Sequence, residues 1–369
     1  MIVKRVSGTN SDYRSETNGQ TNQLRKTLHV TSEQKTALTI NASALEGEVL
    51  VWQDALYEGP LIDGESLNGL SAIRADYFSR LGWGEYAEIL AMFNQRNSIM
   101  SKFLQFNEIV LWFDSGLNNQ LQLIQLVNWF SEQDTRHVVI SVISTDRLPD
   151  VIGFVDFAML KESQLEKLYS KKTELTNSQT KLCQTAWKVL TSENPTNLLR
   201  FFPRDLSSMP YLKNAFLRYV QQFPAKSNGL CKTEQLIIHA LKNKREHHFD
   251  MEKIYLNVQG KEPIPFMSRA IFYTYLQKMM MSPHPVVEKC VIEEKEALEI
   301  TEGNETKAEV VIEEEYELKL TKLSGQIINN WVDWVQVNSI DRWLGGVHLR
   351  EGNIWRYNAE SRQLMKTYV

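Results

Sequence analysis

Residues 108–130 read Glu108-Ile109-Val110-Leu111-Trp112-Phe113-Asp114-Ser115-Gly116-Leu117-Asn118-Asn119-Gln120-Leu121-Gln122-Leu123-Ile124-Gln125-Leu126-Val127-Asn128-Trp129-Phe130, and they decide the fold class. Ile109 to Phe113 is a continuous β-branched, aliphatic and aromatic run, the pattern of a strand covered on both faces. Leu117, Leu121, Ile124, Val127 and Phe130 then recur at spacings of three or four, which predicts a helix with one apolar stripe. Asn and Ser residues before it offer caps. Val138 to Ile143 reads as the next buried strand, so the three pieces form a β-α-β unit with a right-handed crossover. Leu28 to Val30 and Val49 to Trp52 have the same character and extend a parallel sheet from Leu28 to about Asp150.

Further along the chain the pattern changes. Leu182–Leu190, Asn197–Phe202, Leu212–Phe223 and Thr233–Lys242 carry helical periodicity, interrupted by Pro195, Pro203, Pro210 and Pro224, and helices tend to stop before prolines. Near the C-terminus, Val291-Ile292-Glu293-Glu294 is echoed by Val311-Ile312-Glu313-Glu314, and Gly303-Asn304 between them is turn chemistry. An acidic β-hairpin is the expected form. Leu323–Asn330 reads as a short helix, and Trp331–Val337 and Val347–Tyr357 as strands, an arrangement that would suit a winged-helix module. The expected fold is therefore an α/β N-terminal domain with a parallel sheet, then a mainly helical domain, then an α+β C-terminal part of winged-helix-like character. The predicted boundaries are a tail over 1–27, an α/β domain over 28–150, a helical domain over 151–281 and the α+β part over 282–369.

Composition narrows the function classes. With 41 Lys and Arg against 45 Asp and Glu the net charge is −4, which gives no global attraction to nucleic acid. Lys242, Lys244, Arg245, His247 and His248 make a compact basic segment. Between Glu288 and Lys319, however, twelve acidic residues face four basic ones, a charge that would repel DNA. Nucleic acid is thus a disfavoured partner. Cys183, Cys231 and Cys290 are too few and too scattered for a disulfide framework or a zinc knuckle. The seven histidines include no pair at metal-binding spacing, so no metal site is expected, and no motif names a cofactor. No apolar run approaches the length of a membrane span, and the polar N-terminus is no secretory signal. The expected location is the cytoplasm. Trp331, Trp334, Trp343 and Trp355, interleaved with valines, read as core before they read as a stacking platform.

Three long words resemble a known family. Gly47-Glu48-Val49-Leu50-Val51-Trp52-Gln53-Asp54-Ala55-Leu56-Tyr57-Glu58-Gly59-Pro60, then Arg74-Ala75-Asp76-Tyr77, then Ile109-Val110-Leu111-Trp112-Phe113 with Leu117 and Gln120-Leu121, are similar to the bacterial DUF1835 family, a domain of unknown function. Leu212–Phe223, Pro224 and Gly229-Leu230-Cys231-Lys232-Thr233-Glu234 resemble its companion, DUF3658, and Arg342-Trp343-Leu344-Gly345-Gly346-Val347-His348-Leu349 also looks like these proteins. The resemblance implies no activity. Where the family commonly carries Thr-Asn-Gly-Asp after the first strand, this chain has Thr31-Ser32-Glu33-Gln34. Where it carries Glu-His-Asp-Leu, an aromatic, Asp and Gln after the third, this chain has Asp114 to Gln120. Met267-Ser268 replaces a Gly-Asp pair. Apolar words stay while ionisable ones change.

In open parallel sheets ligands bind beyond the C-terminal ends of the strands. Those ends supply Asp54, Asp114, Ser115, Asn118, Asn119 and Gln120, with Glu33 and Ser144-Thr145-Asp146 beside them, and these first six are the expected ligand-binding residues. Singly, Asp114 and Ser115 read as helix caps and Asp54 as a turn residue; the cluster at a helix N-terminus suits a small anion. No catalytic residue is assigned. The expected function is a ligand-binding or regulatory protein without catalysis. The alternative is an enzyme on a small phosphorylated or nucleotide-like ligand, with Asp54 as acid or base.

Overall fold

A computed structural model of the protein describes residues 26–242, 250–301 and 307–367, the side chains of 293–315 excepted. The tail before residue 26, most of the basic segment and Gly303-Asn304 lie outside the described residues. The chain divides into two compact units, one running to Leu217 with 345–347 added, the other comprising Arg218–Leu344 and the residues from His348 onward.

The first unit is the α/β domain that residues 108–130 predict. Its elements are β1 (Thr27–Thr31), α1 (Gln34–Ala42), β2 (Glu48–Val51), a two-residue β3 (Gly59–Pro60), α2 (Leu67–Arg80), α3 (Tyr86–Met100), β4 (Glu108–Trp112), α4 (Leu117–Ser131), β5 (Val139–Ile143), α5 (Glu162–Tyr169), β6 (Thr173–Glu174), α6 (Asn177–Leu190), α7 (Thr196–Phe201) and the start of α8 (Leu212–Val220). The sheet order is β2-β1-β4-β5-β6. The first four strands are parallel, with Val30 opposite Leu50 and Leu111, and β6 closes the edge antiparallel to β5. Because β2 lies on one side of β1 and β4 on the other, the strand order reverses between β1 and β4, the crevice position for ligands in such sheets.

Alternation along each strand feeds two layers. Val49, Val51, Val110, Trp112 and Ile143 pack with Ala37 and Ile40 of α1 and Leu165 and Leu168 of α5. Ile109 and Leu111 point to the opposite face, and α4 is buried almost all round, not along one stripe. The helix N-cap is Gly116, which has no capping side chain; Asp114 Oδ1 instead accepts the Gly116 N–H at 2.8 Å. His29, in the centre of β1, is fully buried and neutral. The Trp112 indole N–H donates to its Nδ1 at 3.1 Å, Nε2 meets the Glu46 carbonyl, and burial lowers its pKa to about 4.

The second unit begins within α8 and adds α9 (Lys232–Leu241), α10 (Met251–Gln259), α11 (Arg269–Met281), the long antiparallel hairpin β7 (Val287–Thr301) and β8 (Lys307–Leu320), α12 (Lys322–Ile328), α13 (Trp334–Asn338), β9 (Arg342–Gly345), β10 (Val347–Leu349), β11 (Ile354–Asn358) and β12 (Gln363–Thr367). The hairpin expected from the repeat is present, and β11 pairs antiparallel with β12. The strand expected over Trp331–Val337 is not there. Asp333 accepts the Gln336 N–H at 3.0 Å as the N-cap of α13, and its carboxylate also holds the Arg356 guanidinium at 2.7 and 2.8 Å. Capping and ion pairing override the alternating Trp-Val pattern. Among the described residues no helix is long and apolar enough to cross a membrane.

Candidate functional site

The long word from Trp52 to Pro60 folds into a turn held by its neighbour Arg74-Ala75-Asp76-Tyr77. Arg74 lies on α2, wholly buried, and all its N–H groups find acceptors. Its Nε donates to Asp54 Oδ1 at 2.9 Å, its Nη1 to the Glu58 and Pro60 carbonyls, and its Nη2 to Asp54 and to the Ala55 carbonyl. Arg96, on α3, donates to Asp54 Oδ2 at 3.0 Å and stands over the Trp52 and Phe93 rings. Tyr77 donates to Glu58 Oε1 at 2.9 Å. Gly59 has φ +85°, and a Cβ there would come within 2.8 Å of the Tyr77 ring, so only glycine fits. Burial alone would push the Asp54 carboxyl up, but two guanidiniums hold it below the usual carboxylate range. Held by two guanidiniums and by the Ala55 N–H, the Asp54 carboxylate acts as a structural clamp of the turn.

At the reversal between β1 and β4, Ser32 Oγ donates to Asn119 Oδ1 at 2.6 Å, closing the loop after β1 onto α4. Asp114 is buried there and also accepts the Phe157 N–H. Burial, with Asp156 and Glu33 nearby, raises its pKa to about 7. Burial raises Asp156, and burial and Asp156 push Glu33 the same way, though the Glu33 side chain is open to water and so better screened. This crevice is acidic, so it repels the anion that its position would otherwise suit. Among the described residues no group of His, Cys, Asp and Glu is placed to hold a metal ion.

The cationic site lies one strand over. A cleft of about 290 Å³ opens beyond the C-terminal end of β5, lined by Gln120 of α4, Ser144, Thr145 and Arg147 after β5, Lys171 before β6, and Ser208 and Tyr211 before α8. That volume is at the small end of ligand pockets, about 300–1,000 Å³. Arg147 is 92% exposed and only 3.9 Å from Asp146, a pair too open and too long to neutralise it. Lys171 is exposed as well. Gln120 Nε2 is fixed by the Asp114 carbonyl at 2.6 Å and Ser144 Oγ at 3.2 Å. The lining holds two cations, several hydroxyls and no carboxylate, imidazole or thiol.

Of the six residues expected to bind ligand, Gln120 lines this cleft. Asp54 is the clamp, and Asp114 serves the N-terminus of α4. Ser115 N–H donates to the Thr145 carbonyl while its buried hydroxyl has no partner among the described residues. Asn118 donates to the Asp54 carbonyl at 3.0 Å, and Asn119 receives Ser32. Arg147 was within reach of sequence reasoning, one residue beyond the strand-end run Ser144-Thr145-Asp146. Lys171, Ser208 and Tyr211 carry no local signal, since only the tertiary fold brings them to β5.

Comparison with protein-family models and with curated proteins gave no match.

Proposed function

We propose that the chain is a non-catalytic binding or regulatory protein that takes a small anionic ligand, of the phosphate-ester class, in the cleft beyond β5. The observation that carries this reading is the lining itself. Arg147 and Lys171 supply positive charge and Ser144 and Ser208 supply hydroxyls, while Thr145 donates to the Arg147 carbonyl and Tyr211 to Asp146, a set whose two cations suit phosphate oxygens. The lining offers no carboxylate, imidazole or thiol to serve as general acid or base. The resemblance to DUF1835 belongs to this proposal: the words that carry it are supported as framework, because Asp54 meets Arg74 and Glu58 meets Tyr77. Calorimetric titration with inorganic phosphate, glucose 6-phosphate and AMP tests it. At least one should bind, the affinity should fall with salt, and the double substitution Arg147→Ala with Lys171→Ala should weaken it about tenfold or more. Equal affinity in the double variant would remove the cleft from consideration.

One observation favours a second reading. A buried carboxyl raised to about 7 beside a topological reversal, Asp114, has the character of a proton-transfer group. In that case the chain is an enzyme on a phosphorylated or nucleotide-like substrate whose phosphate sits in the β5 cleft, outside the acidic crevice, and Asp114→Asn abolishes turnover that the wild type displays.

A further inference from the structure

The helical layer of the first unit carries a second feature, away from the strand ends. Two clefts, of about 460 and 670 Å³, lie in a row and share Ser66, Leu67 and Trp129. Both volumes are within the ordinary range for ligand pockets. The smaller is formed by the start of α2, the C-terminal half of α4 and α6, and it presents Trp129, Trp187, Asp63, Glu65, Glu132 and Lys188. The larger is lined by α2 and α3, and its polar groups are the amides of Asn68, Asn94 and Asn97 and the hydroxyls of Ser66, Ser98 and Ser101, with no charged side chain among them.

The chemistry of this groove excludes most ligand classes. Three carboxylates against one lysine repel anions. A cation would satisfy the carboxylates in one cleft, yet the other offers no charge to hold a second. The donors also need acceptors. Gln125 lines the smaller cleft and is 3% exposed; its Oε1 receives the Trp52 indole at 2.9 Å, and its Nε2 has no acceptor among the described residues. A buried amide N–H left without a partner is costly. Trp129 and Trp187 are half-buried, and their indole N–H groups meet no protein acceptor among the described residues. A ligand that both donates and accepts, carries no net charge and has apolar ring faces for two indoles satisfies all of these demands.

We infer that this groove binds a neutral oligosaccharide, one sugar in each cleft with Trp129 between them. Sugar hydroxyls donate to Asp63, Glu65 and Glu132 and accept from Gln125 and the two indoles. The axial C–H face of a pyranose stacks on Trp187, whose ring has no aromatic neighbour among the described residues, whereas Trp129 is held edge-on by Phe103 and Phe130.

The test is an array of neutral oligosaccharides probed with the full chain, followed by titration of each binder while tryptophan emission is recorded. At least one oligosaccharide should bind and shift the emission. Trp187→Ala, with its thermal midpoint checked against the wild type, should weaken binding about tenfold or more. Should Trp187→Ala fail to fold, Glu132→Gln, at an exposed position, carries the same expectation. Absence of any binder on the array overturns the inference. So does a binder whose affinity is unchanged in the folded variant, or spermidine binding where the saccharides do not.

Discussion

Asp54→Ala is the perturbation that separates a structural carboxylate from a chemical one. In the wild type, Arg74 is wholly buried and Arg96 is 5% exposed, and Asp54 faces both at 2.5 and 3.0 Å. Removing the carboxylate leaves two buried guanidiniums side by side with no counter-charge. Breaking a buried ion pair by deleting one partner costs about 3–5 kcal/mol, because a desolvated charge is left behind. The cost belongs at the upper end of that range, since the two cations also repel each other. That is a large fraction of the roughly 5–15 kcal/mol that holds an ordinary domain folded. Urea unfolding of wild type and variant at pH 7, followed by tryptophan fluorescence, measures it. The first unit should unfold at a much lower urea concentration, or be unfolded without urea. Since the Asp54 pKa lies below its unfolded value, its stabilisation is present above about pH 4 and is lost only as pH falls through the folded pKa. The gap between wild type and variant should therefore hold from pH 5 to 8 and close in stronger acid. A loss under about 1 kcal/mol at pH 7 would refute the clamp, because a solvated surface pair costs no more than that.

Two other substitutions probe neighbouring features. Gly59→Ala forces a Cβ onto the Tyr77 ring in a left-handed backbone, and it should cost about 1–3 kcal/mol in a thermal or urea melt; an unchanged midpoint would show that the turn can relax. Asp114→Asn should act with the opposite sign. Its pKa is raised from 3.8 to about 7, so the folded state favours the protonated form, and the associated stability is full below about pH 4 and lost as pH rises through about 7. The amide cannot ionise, so the variant should gain stability over wild type at pH 8, by at most about 4 kcal/mol, and little at pH 4. Urea melts at the two pH values give the difference, and equal shifts at both would contradict a raised pKa.

Much of the framework was legible in the sequence because its signals are local. Ile109–Phe113 and Val138–Ile143 are continuous apolar runs, and both became central parallel strands. The stripe from Leu117 to Phe130 is α4 to within a residue at each end. The region between Trp52 and Glu108 was not legible as helix. α2 buries Ser71 and Arg74, and α3 buries Arg96 and Asn97, at positions where a pattern reader looks for aliphatics. Arg74 and Arg96 are there to hold Asp54, 20 and 42 residues away in the chain, and Asn97 joins the two helices by donating to Ser71 Oγ. Trp331–Val337 failed for a related reason, since Asp333 acts both as cap and as partner of Arg356. At the candidate site, position was readable and chemistry was not. The rule that places ligands at strand ends led to Asp114 and Gln120, but the acidity of one crevice depends on Asp156, and the cationic character of the next on Lys171. Neither is near in sequence to the strand it serves.

The central claim is that the cleft beyond β5 holds an anion and does not transform it. Phosphorus NMR of inorganic phosphate, glucose 6-phosphate and AMP, each with wild type and with the charge-reversed variant carrying Arg147→Glu and Lys171→Glu, reads both halves of that claim at once. Binding without chemistry predicts that at least one resonance broadens with wild type, stays sharp with the variant, and gives rise to no new signal on long incubation. Resonances that stay sharp with both proteins, or a new phosphorus signal that grows with time, would contradict it.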